Sequence, residues 1–470
     1  MKRFVRVFFS ISFAAICFIM SGCGKQENTT QQVKRKPIEK VTLEERGIEK
    51  LNIAYLGADI TYGTKEDGKS FADVLANKYD HTYIKEAVPG SLLTGMDKDG
   101  YIQRLEAMDQ SIAPDIFVIE IGQNDIAQGG DVGEYKEADS RDDLDTSTMT
   151  GALQYMVSYV KDTYQCEILL MSSIQYDNKA ADDLEHKIWD VANNEKVKVV
   201  DLWYQLSTEI DNFASYMLDE THPNALGYEE YYNPFIESKI KELLHASFCD
   251  EINALAQYDP ENVEILKNSP LEGKKIIFLG SSVTYGSNSD KVSFVEYIAK
   301  RNQAEYVKEA VSGTTLVDEN ESSYISRMKK NIRQQDADLF ICQLSTNDAT
   351  KNLPLGKVSE SKNMEDFDTS TIAGAMEYII AYAEDNYKCP VMFYTGTKYD
   401  SELYGKMVEL TYELQDKWGI GIIDMWNNLD TDIDNYDYYM ANGIHPNRAG
   451  YLDWWTPFME QEIENYLKEQ

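Results

Sequence analysis

Short apolar runs alternate with longer amphipathic stretches along most of the chain, and between residues 51 and 247 their order predicts a regular series of elements. Strands are expected at 52–56, 82–85, 115–121, 167–172 and 197–202, and helices at 70–78, 147–163, 180–192 and 227–244. The stretch 115–121 is strongly apolar, as a strand covered on both faces is. Strands that alternate with helices at this spacing imply right-handed crossovers and a parallel sheet between two helical layers. The expected fold class is therefore α/β, a three-layer α/β/α sandwich of flavodoxin-like type with about five strands. Its ligand crevice is expected beyond the carboxyl ends of the strands.

The same pattern then returns, because the chain contains itself twice at a constant offset of 223 residues. YLGADITYG from Tyr55 is answered by FLGSSVTYG from Phe278, and KEAVPG ending at Gly90 by KEAVSG ending at Gly313. GQND at 122–125 is answered by STND at 345–348, and HPNALGY from His222 by HPNRAGY from His445. Two tandem domains are expected, at 51–247 and 274–470, joined by a connection over 248–273 that contains Pro260, Pro270 and a short helix near 251–258. Each repeat is long enough to bury a full core of its own.

These four blocks, in this order, resemble the SGNH (GDSL-type) hydrolase superfamily, whose blocks contribute a serine, a glycine, an asparagine and a histidine. In the second repeat the resemblance implies Ser282 as nucleophile, Gly313 and Asn347 as oxyanion donors, and His445 as general base. The residues suit those roles. A serine hydroxyl needs a base to take its proton, and His445 is the sole histidine of its repeat. Three positions depart from the family pattern: Ser281 stands for the aspartate of G-D-S, Ser345 for a glycine, and Asn442 for the aspartate three residues before the histidine. Without that carboxylate the second repeat is expected to run as a Ser-His dyad, turning over slowly.

The first repeat is the converse. Gly90, Asn124, Asp219 and His222 are all in place, but Asp59 stands where the nucleophile belongs. Attack by a carboxylate on an ester would give an anhydride without benefit. Asp59 is expected instead to pair with His222, in a degenerate second site that binds without turnover or serves as scaffold. Asp125 and Asp348 are expected to hold the asparagine loops. Tyr62 and Tyr285 are expected to wall the crevices, and Trp203, Trp426, Trp454 and Trp455 to pack in the interior.

The N-terminus changes the picture of where this happens. Lys2, Arg3 and Arg6 precede an apolar run over 7–20, and Met20-Ser21-Gly22-Cys23 resembles a bacterial lipobox. The run is shorter than the roughly 20 residues of a spanning helix. A signal peptide over 1–22, a lipid on Cys23 and a polar tether over 23–50 are expected, which places the protein on the extracytoplasmic face of the membrane.

Removing the signal takes away three basic residues and no acidic ones, so the formal charge moves from −35 to −38. That charge excludes nucleic acid as a partner, because binding it needs Lys and Arg to displace counterions. No cofactor is expected, and neither a C-x-x-C nor a paired-histidine spacing points to a metal. Cys166, Cys249, Cys342 and Cys389 have no pattern of a disulfide framework.

The expected activity is hydrolysis of acyl, including acetyl, esters, with an acylated small molecule or an extracellular carbohydrate as substrate. Two other readings stay open at this point: a non-catalytic glycan- or ligand-binding lipoprotein, and an acyltransferase.

Overall fold

The computed structural model describes residues 40–95 and 97–470. The signal peptide expected over 1–22, the lipid expected on Cys23 and the expected tether as far as residue 39 lie outside the described residues.

Two five-stranded sheets, parallel throughout, form the two repeats. In the first, β1 (Asn52–Gly57), β2 (Thr82–Ala87), β3 (Ile116–Glu120), β4 (Glu167–Met171) and β5 (Lys198–Val200) lie in the order 2-1-3-4-5. In the second, β6 (Lys275–Gly280), β7 (Glu305–Ala310), β8 (Leu339–Gln343), β9 (Val391–Tyr394) and β10 (Gly421–Ile423) repeat it as 7-6-8-9-10. The expected α/β/α architecture is thus realised twice.

Alternation along each strand splits its side chains between two cores. Ala54, Leu56, Phe117, Ile119, Ile168 and Leu170 meet the helices Met149–Tyr164 and Lys179–Glu195 on one face. Ile53, Tyr55, Ile116, Val118, Leu169 and Met171 meet Phe71–Tyr79 and Asn233–Asn253 on the other. Helix starts follow their capping signals. Ser70 with Asp73, and Ser293 with Glu296, form reciprocal capping boxes. Thr148 and Thr371 each cap a helix through the N–H of the glycine three residues on.

The final helix of each repeat departs from the expected continuous run. A π-helical turn, Tyr228–Tyr232 or Gly450–Trp455, leads into the regular helix Asn233–Asn253 or Thr456–Glu469. Pro234 and Pro457 stand at the junction. Proline lacks the N–H that would close the ordinary turn, so the wider turn ends there without further loss.

Two stretches are more integrated than the sequence suggests. The connection expected over 248–273 begins as unbroken helix to Asn253, and Phe248, Ile252, Tyr258 and Leu271 are buried in the core of the second repeat. The short helix expected near 251–258 is therefore the end of this long helix followed by a single 3-10 turn, Ala256–Tyr258. The tether expected over 23–50 does not extend to its distal end. From Lys40 the chain lies against both repeats: Ile48 is buried in the first, Leu43 packs on the second, and Arg46 pairs with Asp115. Val41 exchanges two hydrogen bonds with the Gln257 side chain. Apolar Val41, Leu43 and Ile48 within a polar stretch were the signal of this docking.

Candidate active sites

Each crevice forms where three loops leave the carboxyl ends of the strands. In the second repeat β6 ends at Gly280 and Ser282 opens a one-turn helix, Ser282–Tyr285. A Cβ at Gly280 would meet Thr284 Oγ1 at 1.9 Å and Gln343 Oε1 at 2.8 Å, so only glycine allows the turn to close this tightly. Gln343 Oε1 accepts from Ser281 N (2.9 Å) and Thr284 N (3.2 Å), tying the turn to the end of β8. Gly313 sits at φ +79° with nothing near its α-carbon face. Asp348 Oδ2 and Oδ1 accept from Leu316 N and Val317 N, so this structural aspartate joins the asparagine loop to the glycine loop.

The side chains then converge. Ser282 Oγ lies 2.7 Å from His445 Nε2, and Asn442 Oδ1 lies 3.0 Å from His445 Nδ1. The N–H groups of Ile444 and His445 also donate to Asn442 Oδ1, each at 3.0 Å. Those backbone donors decide the orientation of the amide, because its oxygen must face them. His445 Nδ1 is then the protonated nitrogen, and Nε2 presents a lone pair to the serine hydroxyl. Asn442 thus does for the tautomer what an aspartate would do, without its charge. Burial, with no carboxylate to oppose it, holds the His445 pKa below its usual value. Asn347 donates from Nδ2 to Thr314 O at 2.9 Å, as Asn124 does to Ser91 O at 3.1 Å in the first repeat.

The first crevice has the same backbone and a different charge pattern. His222 Nδ1 is bonded to Asp219 Oδ1 at 2.8 Å, and Lys65 forms an ion pair with the other oxygen of Asp219. The pKa of Asp219 falls far below the usual carboxylate range. Burial would raise it, but bonds from Lys65, Thr221 N and His222 outweigh that effect.

The expected pairing of Asp59 with His222 does not form. Asp59 Oδ2 instead accepts from Gly90 N and from Asn124 Nδ2, both at 2.9 Å, and Oδ1 accepts from the Thr64 hydroxyl at 3.0 Å. Three hydrogen bonds from fixed donors win over one histidine, already engaged by Asp219. The Asp59 pKa is lowered: burial pushes it up, and the bonds from Asn124, Gly90 and Thr64 more than offset this. The Asp59 carboxylate therefore occupies the donor pair formed by Gly90 N and Asn124 Nδ2, the residues expected to be oxyanion donors in an active copy.

Some residues that build these sites are absent from the motifs. Arg104 Nη2 donates to Gly57 O (2.8 Å) and Ser91 Oγ (3.0 Å), and Arg327 Nη2 donates to Gly280 O (2.9 Å) and Thr314 Oγ1 (3.0 Å). Each buried guanidinium staples the first turn to the glycine loop. The signal was available, since the two arginines differ by the common offset of 223. Glu120, the counterpart of Gln343, accepts from Ala58 N and Thr61 N, and its burial pushes its pKa up.

The second crevice also borrows support from the first repeat. His245, on the helix Asn233–Asn253, donates from Nε2 to Met440 O at 2.7 Å, at the base of the loop carrying Asn442 and His445. Asn253 accepts from Arg448 N at 2.8 Å and donates to Asn288 O at 2.9 Å.

Of the remaining expectations, Trp203 and Trp455 are buried and Trp426 packs against the same core as Tyr404. Trp454 is only partly buried, stacked on Tyr439. Tyr62 is exposed, and Lys291 lies over the Tyr285 ring. Cys166, Cys249, Cys342 and Cys389 are free thiols. Among the described residues there is no cluster of histidine, cysteine and carboxylate fit for a metal, and no helix long and apolar enough to cross a membrane.

The sequence profile of the GDSL-like Lipase/Acylhydrolase family matches residues 55–230 and again 278–452. No curated protein shows significant similarity to the chain. Among solved structures, a protein from Lactobacillus plantarum is similar at 21% identity over 42% of this chain and 97% of its own, with a TM-score of 0.35. A lipase/acylhydrolase from Enterococcus faecalis is similar at 18% identity over 41% and 95% of the two chains, with a TM-score of 0.31. A member of the lipolytic G-D-S-L family from Veillonella parvula is similar at 18% identity over 41% and 97%, also with a TM-score of 0.31.

Proposed function

The chain belongs to the GDSL-like lipase/acylhydrolase family, matched over both repeats, and from that premise we propose that the second repeat is an exported serine esterase acting through Ser282 and His445. The observation that carries this reading is the 2.7 Å contact between Ser282 Oγ and His445 Nε2, with the ring held in the accepting tautomer by Asn442.

The mechanism follows from that geometry. Ser282 Oγ attacks the acyl carbonyl while its proton passes to His445 Nε2. The oxyanion is met by the N–H groups of Gly313 and Ser282 and by the Asn347 amide, fixed dipoles that need no reorganisation. His445 returns the proton to the leaving alcohol, and water then repeats the cycle on the acyl-serine. Without a carboxylate at 442 the imidazolium lacks a counter-charge, so turnover is slow.

The first repeat takes no part in ester turnover, because Asp59 replaces the hydroxyl. The lipobox-like Met20–Cys23 supports a lipid anchor at Cys23 on the extracytoplasmic face. That location and the net charge favour acyl esters, acetyl included, carried by uncharged extracellular glycans. A fluorophosphonate probe tests the core of the reading: one label is expected, on Ser282, lost in Ser282→Ala. A chain left unlabelled, with no activity on p-nitrophenyl esters or acetylated glycans, would refute it.

A further inference from the structure

The first crevice holds more hydrolytic apparatus than a scaffold needs, and we propose that it is a second active site in which Asp59 is the nucleophile toward short primary alkyl halides. A carboxylate gains nothing by attacking an ester, but on a saturated carbon bearing a leaving group it forms an ester that water can cleave.

The parts stand in the order this chemistry requires. Asp59 Oδ2 rests between Gly90 N and Asn124 Nδ2, which leaves Oδ1, with its single bond to Thr64, as the attacking oxygen. His222 is locked by Asp219, and Asp219 by Lys65, so the imidazole has the carboxylate support that the second repeat lacks. A small cavity is lined by both Asp59 and His222. Ile121, Met171, Ile174 and Leu202 give it an apolar wall, suited to a small alkyl group rather than an acylated sugar. The departing halide is a weak base and needs no proton from the site.

In the first step Asp59 Oδ1 displaces halide from the alkyl carbon, and the halide leaves with the bonding pair. In the second, water attacks Cγ of the alkyl-aspartate and His222 Nε2 takes its proton. The oxyanion forms on Oδ2, already seated between Gly90 and Asn124. Collapse expels the alkoxide, which recovers the proton from His222, and Asp59, left as the acid, returns to the carboxylate by giving its remaining proton to solvent. The sum is alkyl halide plus water to alcohol plus hydrogen halide, with no other reactant. The alcohol of the first turnover carries an Asp59 oxygen, and water's oxygen enters the carboxylate.

The test uses the full chain with Ser282→Ala and 1-bromopropane as probe. Bromide release is expected, reduced at least a hundredfold by Asp59→Asn, which is isosteric and keeps an acceptor for Gly90. With His222→Gln a propyl ester is expected to accumulate on Asp59, read by peptide mass spectrometry. In oxygen-18 water, a chain with Asp59 and His222 intact is expected to gain the label in the Asp59 carboxylate, a readout that needs no further variant. Bromide release indifferent to Asp59→Asn, no propyl group on Asp59 with His222→Gln, or an unlabelled Asp59 would each overturn the proposal. None of these outcomes depends on the esterase reading, which Ser282 labelling decides separately.

Discussion

The two crevices share a backbone and divide their charges. At equivalent positions the first has Asp59, Asp219, Glu120 and Lys65 where the second has Ser282, Asn442, Gln343 and Asn288. The cradle around them is nearly identical: the positive-φ glycine, the asparagine amide, the aspartate joining the loops and the buried arginine all recur. What differs is where a negative charge is allowed to rest. In the first crevice it rests permanently in the oxyanion position. In the second no carboxylate fills that position, and the histidine is bonded to the neutral amide of Asn442. A repeated fold thus supplies donors and distances, and a few side chains decide which oxygen uses them.

The largest effect that would break this comparison is at Ser282. Ser282→Ala is expected to lower ester turnover by about 10³-fold or more, with the thermal midpoint nearly unchanged, and His445→Ala to do the same. Ester hydrolysis that survives either change would move the site elsewhere. Next, Asp59→Ser in a Ser282→Ala background empties the oxyanion position and supplies a hydroxyl near His222. Esterase activity at least tenfold above that background is expected, read with p-nitrophenyl acetate. A folded but inert variant would show that the crevices differ beyond their charges.

Asn442→Asp sharpens the comparison by giving the second histidine the partner of the first. A rise in kcat/KM of about tenfold is expected, a fraction of the roughly 10⁴ that an Asp to Asn exchange costs a serine protease. The pH profile provides the sign. His445 must be neutral to accept a proton, and its pKa lies below the usual 6.5 because of burial. The acid limb of kcat/KM should therefore fall below pH 6.5 in the wild type. It should move upward in Asn442→Asp, because a carboxylate favours the imidazolium. An unmoved limb would mean that another group governs it.

The smallest effect tests the support that crosses between repeats. His245→Ala removes the donor to Met440 O, a bond worth about 1 kcal/mol, so kcat for ester hydrolysis should fall about fivefold with KM unchanged. His245→Gln, which retains an N–H donor, should recover most of it. Equal losses in both variants would tie the effect to packing instead.

Much of this was legible in the sequence. Alternating runs placed the ten strands and most long helices, and the offset of 223 placed both sets of site residues at matching loops. These signals are local or periodic, and backbone hydrogen bonding obeys them wherever the core allows. The short helices carrying Arg104 and Arg327 escaped because so few residues give little periodicity. The docking of residues 40–50 escaped because isolated apolar residues in a polar stretch show no period at all.

The sequence by itself determined the repeat, the fold class, the crevice edge and the order of chemically able residues along it. Only the tertiary structure decided which partner each residue took. Asp59 and His222 are 163 positions apart, and their pairing looked natural by charge; the donors of Gly90 and Asn124 claimed the carboxylate first. Asn442 lacks the carboxylate, and whether its amide oxygen could hold the tautomer rested on its orientation; two backbone N–H groups turn that oxygen toward His445. The reason is general. Composition and periodicity report what a side chain is able to do, whereas hydrogen-bond donors brought from distant loops select one torsion among several. That competition is settled only in three dimensions.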